Sequence, residues 1–202
     1  MRLRKLPRSF YLRPTLRVAR ELLGKYLIRQ DGNHRLVGRI VETEAYLGEK
    51  DPASHAYRGM TKRNQVMFRE GGCLYVYFTY GMHFCANVVT EREGKSRAVL
   101  LRAVEPIAGT ERMSKRRGIV GKSGVDLTNG PAKLCQALGI ERRQNGVDLL
   151  GPEIWIAENR TGTPQIRRGV SSRIGVTDGR KHKWRFYVKD NPFVSKGKPV
   201  QA

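Results

Sequence analysis

Residues 72–90 read GCLYVYFTYGMHFCANVVT. The β-type residues on both sides of Gly81 predict two antiparallel strands joined by a tight turn, because glycine accepts the positive φ that such turns require. Tyr75 and Tyr77 are two positions apart, so they share one face of the first strand. Tyr80 falls at or beside the tip of this hairpin, where a side chain has few neighbours. It is either an ordinary surface residue or a residue aimed at a partner.

The rest of the chain predicts more strands and several short helices. Further β-type runs occupy 25–30, 34–46, 96–106, 153–159, 170–176 and 183–190. Helices are predicted at 14–24, 62–69, 109–117 and 131–138, and a flexible loop at 115–130. There is no internal repeat and no alternation of strands with helices. The sequence therefore predicts a single α+β domain over residues 1–202, with its core at about 14–194 and an antiparallel or mixed sheet.

The charge of the chain restricts the class of partner. Lys and Arg number 39 and Asp and Glu number 18, which gives a formal net charge of +21. An excess of this size is typical of a protein that binds a polyanion, and nucleic acid is the usual one. A membrane partner would need a basic amphipathic helix or a lipidation signal, and the sequence has neither.

No apolar run has the length of a membrane span, and residues 1–10 lack the apolar stretch of a secretion signal. The expected location is therefore the cytoplasm and nucleoid of a bacterium or the nucleus of a eukaryote. The three cysteines, an odd number without a C-x-x-C pair, predict free thiols in a reducing compartment. The four histidines are scattered, so we expect no metal site and no cofactor.

The stretch VETEAY, residues 41–46, places two carboxylates in a strongly basic chain. Glu42, Glu44 and Tyr46 alternate, so they share one face of the predicted strand. Carboxylates in this pattern are usually solvent-facing. In a protein that binds phosphates they reduce affinity, which favours a chemical task such as general base or metal ligand.

Six blocks of sequence carry a resemblance to a known family. They are GRIVETEAYLG (38–48), SHAYRG (54–59), GCLYVYFTYGMHFCANV (72–88), VLLRAVEP (99–106), GPAKLCQAL (130–138) and SSRIGV (171–176) followed by RFYV (185–188). In this order they resemble the alkyladenine DNA glycosylase family, the 3-methyladenine or N-methylpurine glycosylases, over about residues 14–194. The resemblance implies an enzyme of base excision repair that flips alkylated purines out of duplex DNA and hydrolyses the N-glycosidic bond.

The resemblance also implies the catalytic roles. Glu44 matches the general base that activates a water for attack on the sugar C1′. Arg102 and the backbone carbonyl of Ile174 match the groups that hold this water. No helix–hairpin–helix with a catalytic lysine is present, so we expect a monofunctional enzyme that leaves an abasic site and has no lyase activity.

In such a family the hairpin inserts into DNA. Tyr80 matches the residue that enters the minor groove and replaces the flipped nucleotide, with Met82 beside it. The flipped base would lie between Tyr77 on one face and Tyr46 with His55 on the other. Aromatic faces favour electron-poor, cationic purines through a cation–π term.

The remaining expectations concern selectivity and phosphate binding. Asn87 matches a residue that discriminates against the exocyclic amine of guanine. Lys133, at the start of a helix, is a candidate phosphate contact, and Thr61, Lys62 and Arg63 form a weaker one. The expected partner is damaged double-stranded DNA, bound by a monomer.

Two other classes of protein fit part of the pattern. A metal-dependent nuclease would use Glu42 and Glu44 as ligands, and its activity would stop on chelation. A non-catalytic DNA- or RNA-binding protein explains the charge but gives Glu44 no task.

Overall fold

The computed structural model describes residues 2–79, 81–119, 124–162 and 165–197. Within these ranges the strands are β1 Leu3–Lys5, β2 Tyr26–Asp31, β3 His34–Tyr46, β4 Leu74–Thr79, β5 His83–Val89, β6 Ala98–Ala108, β7 Ile154–Asn159, β8 Arg168–Ser171 and β9 Arg185–Val188. The α-helices are α1 Arg8–Tyr11, α2 Thr15–Leu22, α3 Thr110–Arg117 and α4 Pro131–Leu138. Short 3-10 turns cover Gly48–Lys50, Gln65–Phe68, Gly124–Leu127 and Arg142–Gln144. The α+β class is confirmed.

The strands form one sheet in the order β1-β7-β2-β3-β6-β5-β4, and β8 and β9 attach to it through β3. Every pairing of the described strands is antiparallel. The first half of β3 pairs with β2 and its second half with β9, while β6 pairs along most of β3. The register between β3 and β6 shifts on both sides of Glu42. Such bulges bend a strand and re-aim its side chains, and here they lie where β3 exchanges β2 for β9.

Helix α2 covers the core side of β3. Its apolar side chains Val18, Ala19 and Leu22 are fully buried, because they recur at the spacing of one helix face. Gly24, with φ +82°, follows the end of the helix. The predicted helix at 14–24 is confirmed.

Helix α4 supports the hairpin from behind by packing against β5 and β6. It begins at Pro131, whose missing N–H is not needed in the first turn, and it ends at Gly139, whose φ is +63°. The hairpin itself runs from the pair Leu74–Val88 to the pair Thr79–His83. Gly81 has φ +65°, as predicted for the turn. Tyr80 lies outside the described residues, so insertion of the hairpin into DNA stays a prediction.

Residues 120–123 of the predicted flexible loop 115–130 lie outside the described residues, and the described residues on either side of them are ordered. Among its described residues, α3 continues to Arg117 and a 3-10 turn occupies Gly124–Leu127. Thr128 is fully buried and its hydroxyl donates to the carbonyl oxygen of Val104. For residues 115–119 and 124–130 the prediction was wrong, because packing against α4 and β6 orders residues whose composition resembles a loop.

The predicted strand at 170–176 ends early. Strand β8 stops at Ser171, and the chain then turns inward. The guanidinium of Arg173 pairs with Asp51, and the N–H of Ile174 donates to Glu44. These two contacts take the segment out of the sheet.

Two N-terminal elements were not predicted. Strand β1 pairs with β7, and Leu6, Phe10 and Tyr11 are buried in the main core. The packed region therefore begins before residue 14. The three cysteines are free and buried, as predicted. No helix within the described ranges is long and apolar enough to cross a membrane.

Candidate active site

A cleft of about 370 Å³ lies on one side of the β4–β5 hairpin. Its size is within the usual range of small-molecule sites, roughly 300–1,000 Å³. Six of the residues singled out from the sequence meet in its wall, although they are distant in the chain: Tyr46, His55, Tyr77, Asn87, Arg102 and Ile174. Tyr75, from the same hairpin, lines it as well.

Glu44 lies under the floor of the cleft and is fully buried. Its Oε1 accepts the N–H of Ile174 at 2.7 Å. Its Oε2 accepts the hydroxyl of Tyr46 at 3.0 Å and Nη1 of Arg102 at 3.3 Å. A carboxylate has about four acceptor positions, so these three bonds leave one on Oε1.

The pKa of Glu44 is raised above its ordinary value. Burial is the largest cause, because removing the carboxylate from water disfavours its charge. Arg102, the N–H of Ile174 and the hydroxyl of Tyr46 act in the opposite direction, and the nearby Glu42 raises the pKa further. A raised pKa on a buried carboxyl beside a cleft is typical of a group that exchanges protons.

Glu42 is fully buried and held by three residues. Its Oε1 accepts Nε of Arg102 at 2.9 Å, Nε of Arg185 at 2.7 Å and the hydroxyl of Ser195 at 2.8 Å. Its Oε2 accepts the N–H of Ser195 at 2.7 Å. Glu42 therefore anchors Arg102 beside Glu44. The alternation of Glu42 and Glu44 in the sequence predicted that they share one face of the strand. No sequence signal indicated that Arg185 and Ser195 would bind Glu42.

Tyr46 separates Glu44 from the cleft. Its hydroxyl bonds to Glu44, and the guanidinium of Arg173 lies 4.6 Å from the centre of its ring. Arg173 is in turn bound by Asp51 through two bonds of 2.5 and 2.7 Å, and both side chains are fully buried. This pair fixes the ring of Tyr46, a role that sequence reasoning missed. The only signal was the place of Arg173 in the SSRIGV block.

The hairpin side of the cleft is aromatic. The rings of His55 and Tyr77 meet edge to face with their centres 4.4 Å apart, and Nδ1 of His55 is 3.2 Å from the hydroxyl of Tyr75. Burial, with a smaller contribution from the positive charge of Arg63, lowers the pKa of His55 and so favours its neutral ring. A base stacked between two rings needs about 7 Å, twice a contact distance of ~3.5 Å. His55 and Tyr77 therefore admit a base between them only if one of them turns.

Asn87 lies in the wall of the cleft and is 5% exposed. Its Nδ2 donates to the carbonyl oxygen of Tyr75 at 3.2 Å. This bond across the β4–β5 ladder fixes the side-chain amide relative to the aromatic wall.

The residues predicted to contact DNA phosphates differ in how far they are already bonded within the protein. Nζ of Lys133 bonds to Asn129 at 2.8 Å and to Asp126 at 3.3 Å, so part of its charge is already compensated. Thr61, Lys62 and Arg63 are all exposed. The guanidinium of Arg63 donates to the carbonyl oxygen of Phe78 and lies 5.9 Å from the ring centre of Tyr77. This places the loop beside the hairpin.

Met82, next to the turn, is 69% exposed. Tyr80 falls outside the described residues. Within the described residues, no group of three or more His, Cys, Asp or Glu side chains is arranged to hold a metal ion. Glu42 and Glu44 instead face guanidinium groups, which repel a divalent cation.

A buried carboxyl under an aromatic cleft, in a chain of charge +21, defines a class: enzymes that act on a base of a nucleic acid. The profile of the family described as Methylpurine-DNA glycosylase (MPG) matches residues 9–192. The chain belongs to the methylpurine-DNA glycosylase family.

Curated relatives agree with this membership. A protein of Carboxydothermus hydrogenoformans is 50% identical over 95% of this chain and 98% of its own length. One of Chlorobium phaeovibrioides is 49% identical over 96% and 98%, and one of Methanocella arvoryzae is 49% identical over 96% and 97%. All three are named "Putative 3-methyladenine DNA glycosylase".

Proposed function

We propose that the protein is a monofunctional DNA glycosylase that removes alkylated purines, with 3-methyladenine as the first candidate, and leaves an abasic site for base excision repair. The observation that carries the proposal is the position of Glu44, a buried carboxyl of raised pKa directly behind the wall of an aromatic cleft. Membership of the methylpurine-DNA glycosylase family supports the same reaction.

The chemistry needs no cofactor. A 3- or 7-alkylated purine is cationic, so the bond between C1′ and the base nitrogen breaks with its electron pair going to the purine. The carboxylate of Glu44 stabilises the positive charge that develops on the sugar. A water oxygen then bonds to C1′ and its proton passes to Glu44. Arg102, held by Glu42, lowers the pKa of Glu44 and so favours the ionised form that the reaction requires.

Water must reach a carboxylate that is sealed in this state. Glu44 is covered by Tyr46 and by the backbone of Ile174. We therefore propose that Tyr46 moves when the base enters, and that its ring then stacks on the base. The N–H of Ile174 is already used by Glu44, so any contact of Ile174 with the water falls to its carbonyl oxygen.

Recognition of the base rests on the aromatic wall. The face of Tyr77 offers a stacking surface that favours a cationic purine, once His55 turns away from it. Asn87, fixed by its bond to Tyr75, would clash with the exocyclic amine of guanine. Deaminated purines such as hypoxanthine are neutral and would need an acid that the described residues do not identify.

Engagement of DNA rests on charge and on the hairpin. Tyr80 and Met82 would fill the gap left by the flipped nucleotide. Thr61, Lys62 and Arg63 would contact nearby phosphates. Lys133 is the weaker phosphate candidate because Asp126 already pairs with it. The protein would act as a monomer on chromosomal DNA.

The decisive experiment uses duplex DNA treated with a methylating agent. The protein should release methylpurines in the presence of a chelator, and strand breaks should appear only after alkali. Release that stops on chelation, or strand cleavage without alkali, would contradict the proposal. Glu44→Gln, prepared in the same way, controls for a contaminating glycosylase. A non-catalytic DNA-binding protein would release no base at all.

A further inference from the structure

Residues 191–197, here called the C-terminal strap, lie against the buried side of the site. The amide of Asn191 donates to Glu105 on β6 at 2.8 Å, and its side-chain oxygen accepts the N–H of Phe193 at 2.9 Å. The N–H of Val194 donates to the carbonyl oxygen of Asn191 at 3.2 Å. These bonds fix a turn that directs the following residues toward Glu42.

Ser195 joins the strap to both charged partners of the site. It is 9% exposed. Its N–H and its hydroxyl donate to the two oxygens of Glu42 at 2.7 and 2.8 Å, and its hydroxyl oxygen accepts Nη2 of Arg102 at 3.3 Å. The hydroxyl thus lies between Glu42 and Arg102. It limits the rotation of the guanidinium whose Nη1 bonds to Glu44.

Gly197 touches the second group that holds Glu44. A Cβ added at Gly197 would lie 2.9 Å from Cγ2 of Ile174, too close for two carbon atoms. The backbone of the strap is therefore packed directly against the side chain of Ile174. Of the three described hydrogen bonds to Glu44, the bond from the N–H of Ile174 is the shortest, at 2.7 Å.

We propose that the C-terminal strap positions the catalytic carboxylate, through Ser195 acting on the Glu42–Arg102 pair and through Gly197 acting on Ile174. Neither residue reaches the cleft, so both are positioning residues and not catalytic ones. The inference rests on the proposed role of Glu44. It assigns a function to a segment that has no counterpart among the six sequence blocks.

The test compares Ser195→Ala with the unchanged protein by the release of 3-methyladenine from methylated duplex DNA. Loss of the hydroxyl should lower the single-turnover rate of base release about 10- to 100-fold, the effect of a small misplacement of a reacting group. Binding of the lesion duplex should change less than about twofold, because no DNA contact is lost. Ser195→Thr keeps a hydroxyl and should recover most of the rate.

The acidic limb of the pH–rate profile gives a second measurement. The titratable groups that face Glu44 are Arg102, Glu42 and Tyr46, and the charge of Glu44 also reaches Tyr77 and Cys85. If Ser195→Ala lets Arg102 turn away, the limb should move to higher pH, because Arg102 holds the pKa of Glu44 down. Gly197→Ala, which displaces Ile174, should move the limb in the same direction.

Thr43→Val is the matched control. The hydroxyl of Thr43 is also buried and donates to the carbonyl oxygen of Ala19, on the opposite face of β3. Thr43→Val and Ser195→Ala should both lower the melting temperature. Thr43→Val should nevertheless keep the single-turnover rate and the pH–rate profile of the unchanged protein. Equal rates for Ser195→Ala and Thr43→Val, or a loss confined to binding, would overturn the strap proposal. Failure of the unchanged protein to release any methylpurine would instead overturn the proposed function.

Discussion

Glu42 is the closer of the two carboxylate partners of Arg102. Nε of Arg102 donates to Glu42 at 2.9 Å, whereas its Nη1 donates to Glu44 at 3.3 Å. Glu42 also holds Arg185, so it works as the anchor of the cluster. Glu44, with the longer bond, remains the carboxylate that can give up part of its hydrogen bonding to a water. Two glutamates two positions apart therefore have different tasks.

The first prediction concerns the chemistry. Glu44→Gln keeps the shape of the side chain and removes the base, so base release should fall by about 10²–10⁴-fold. Lesion duplex should bind at least as well as before, because glutamine keeps the shape of the side chain and removes a negative charge from the site. Single-turnover release and a gel-shift titration measure the two quantities. A mutant that keeps nearly the full rate would remove Glu44 from the mechanism.

The second prediction concerns pH. The base must be ionised, and burial raises the pKa of Glu44 above the ordinary 4.5. The midpoint of the acidic limb of the pH–rate profile should therefore lie above pH 4.5. The measurement is the single-turnover rate on an already cationic lesion, from about pH 4 to 8. An acidic limb at or below the ordinary value would show that the environment of Glu44 is different in the DNA complex.

The third prediction separates the two glutamates by their effect on stability. Because the pKa of Glu44 is raised in the folded state, its contribution to stability is fully present below the unfolded pKa and is lost as the pH rises through the folded pKa. At pH 7 its charge is a cost, so Glu44→Gln should melt higher, by ~2–4 °C for each kcal/mol relieved. The advantage should disappear in acid.

Glu42→Gln should act in the opposite direction. It leaves two buried guanidinium groups, those of Arg102 and Arg185, with a neutral partner. Breaking a buried pair in this way costs about 3 kcal/mol or more. Thermal or urea unfolding of the two variants side by side tests the contrast. Equal shifts of the same sign would mean that Glu42 is not the anchor.

The fourth prediction concerns salt. Binding of undamaged duplex should weaken by about 0.9 log units per log unit of salt for each phosphate that the protein neutralises. Lys62→Ala should reduce this slope more than Lys133→Ala, because Lys133 is already paired with Asp126. Fluorescence anisotropy over a salt series gives both slopes. A flat response would mean that the positive charge serves something other than DNA.

The fifth prediction concerns the hairpin tip. Tyr80→Ala should slow release on a correctly paired lesion, because the flipped state loses the group that offsets an unstacking cost of a few kcal/mol. The loss should shrink for a mispaired lesion, which needs less energy to flip. Tyr57→Ala is the control, since Tyr57 is 47% exposed and lies outside the hairpin. A large drop in melting temperature for Tyr80→Ala would indicate a packing residue.

The local pattern of the sequence determined the elements that depend on periodicity and turn chemistry. The spacing of Leu16, Ala19, Leu22 and Leu23 predicted α2, and Pro131 with Gly139 delimited α4. Gly81 placed the turn of the hairpin. These signals are local, since each depends on residues within one or two turns of the chain, and they were sufficient for the α+β class. The six blocks were sufficient for the family.

Only the tertiary structure decided which groups surround Glu44. The alternation in VETEAY placed Glu42 and Glu44 on one face, but it did not say that both are fully buried. Burial came from β6, from the chain after β8 and from the C-terminal strap, whose Ser195 is 153 positions away from Glu42. Contacts between residues that are far apart in the sequence produce no periodic pattern, because each contact depends on a single side chain. For the same reason residues 124–130 could resemble a loop and still be packed, and Arg173 could leave the sheet to hold Tyr46.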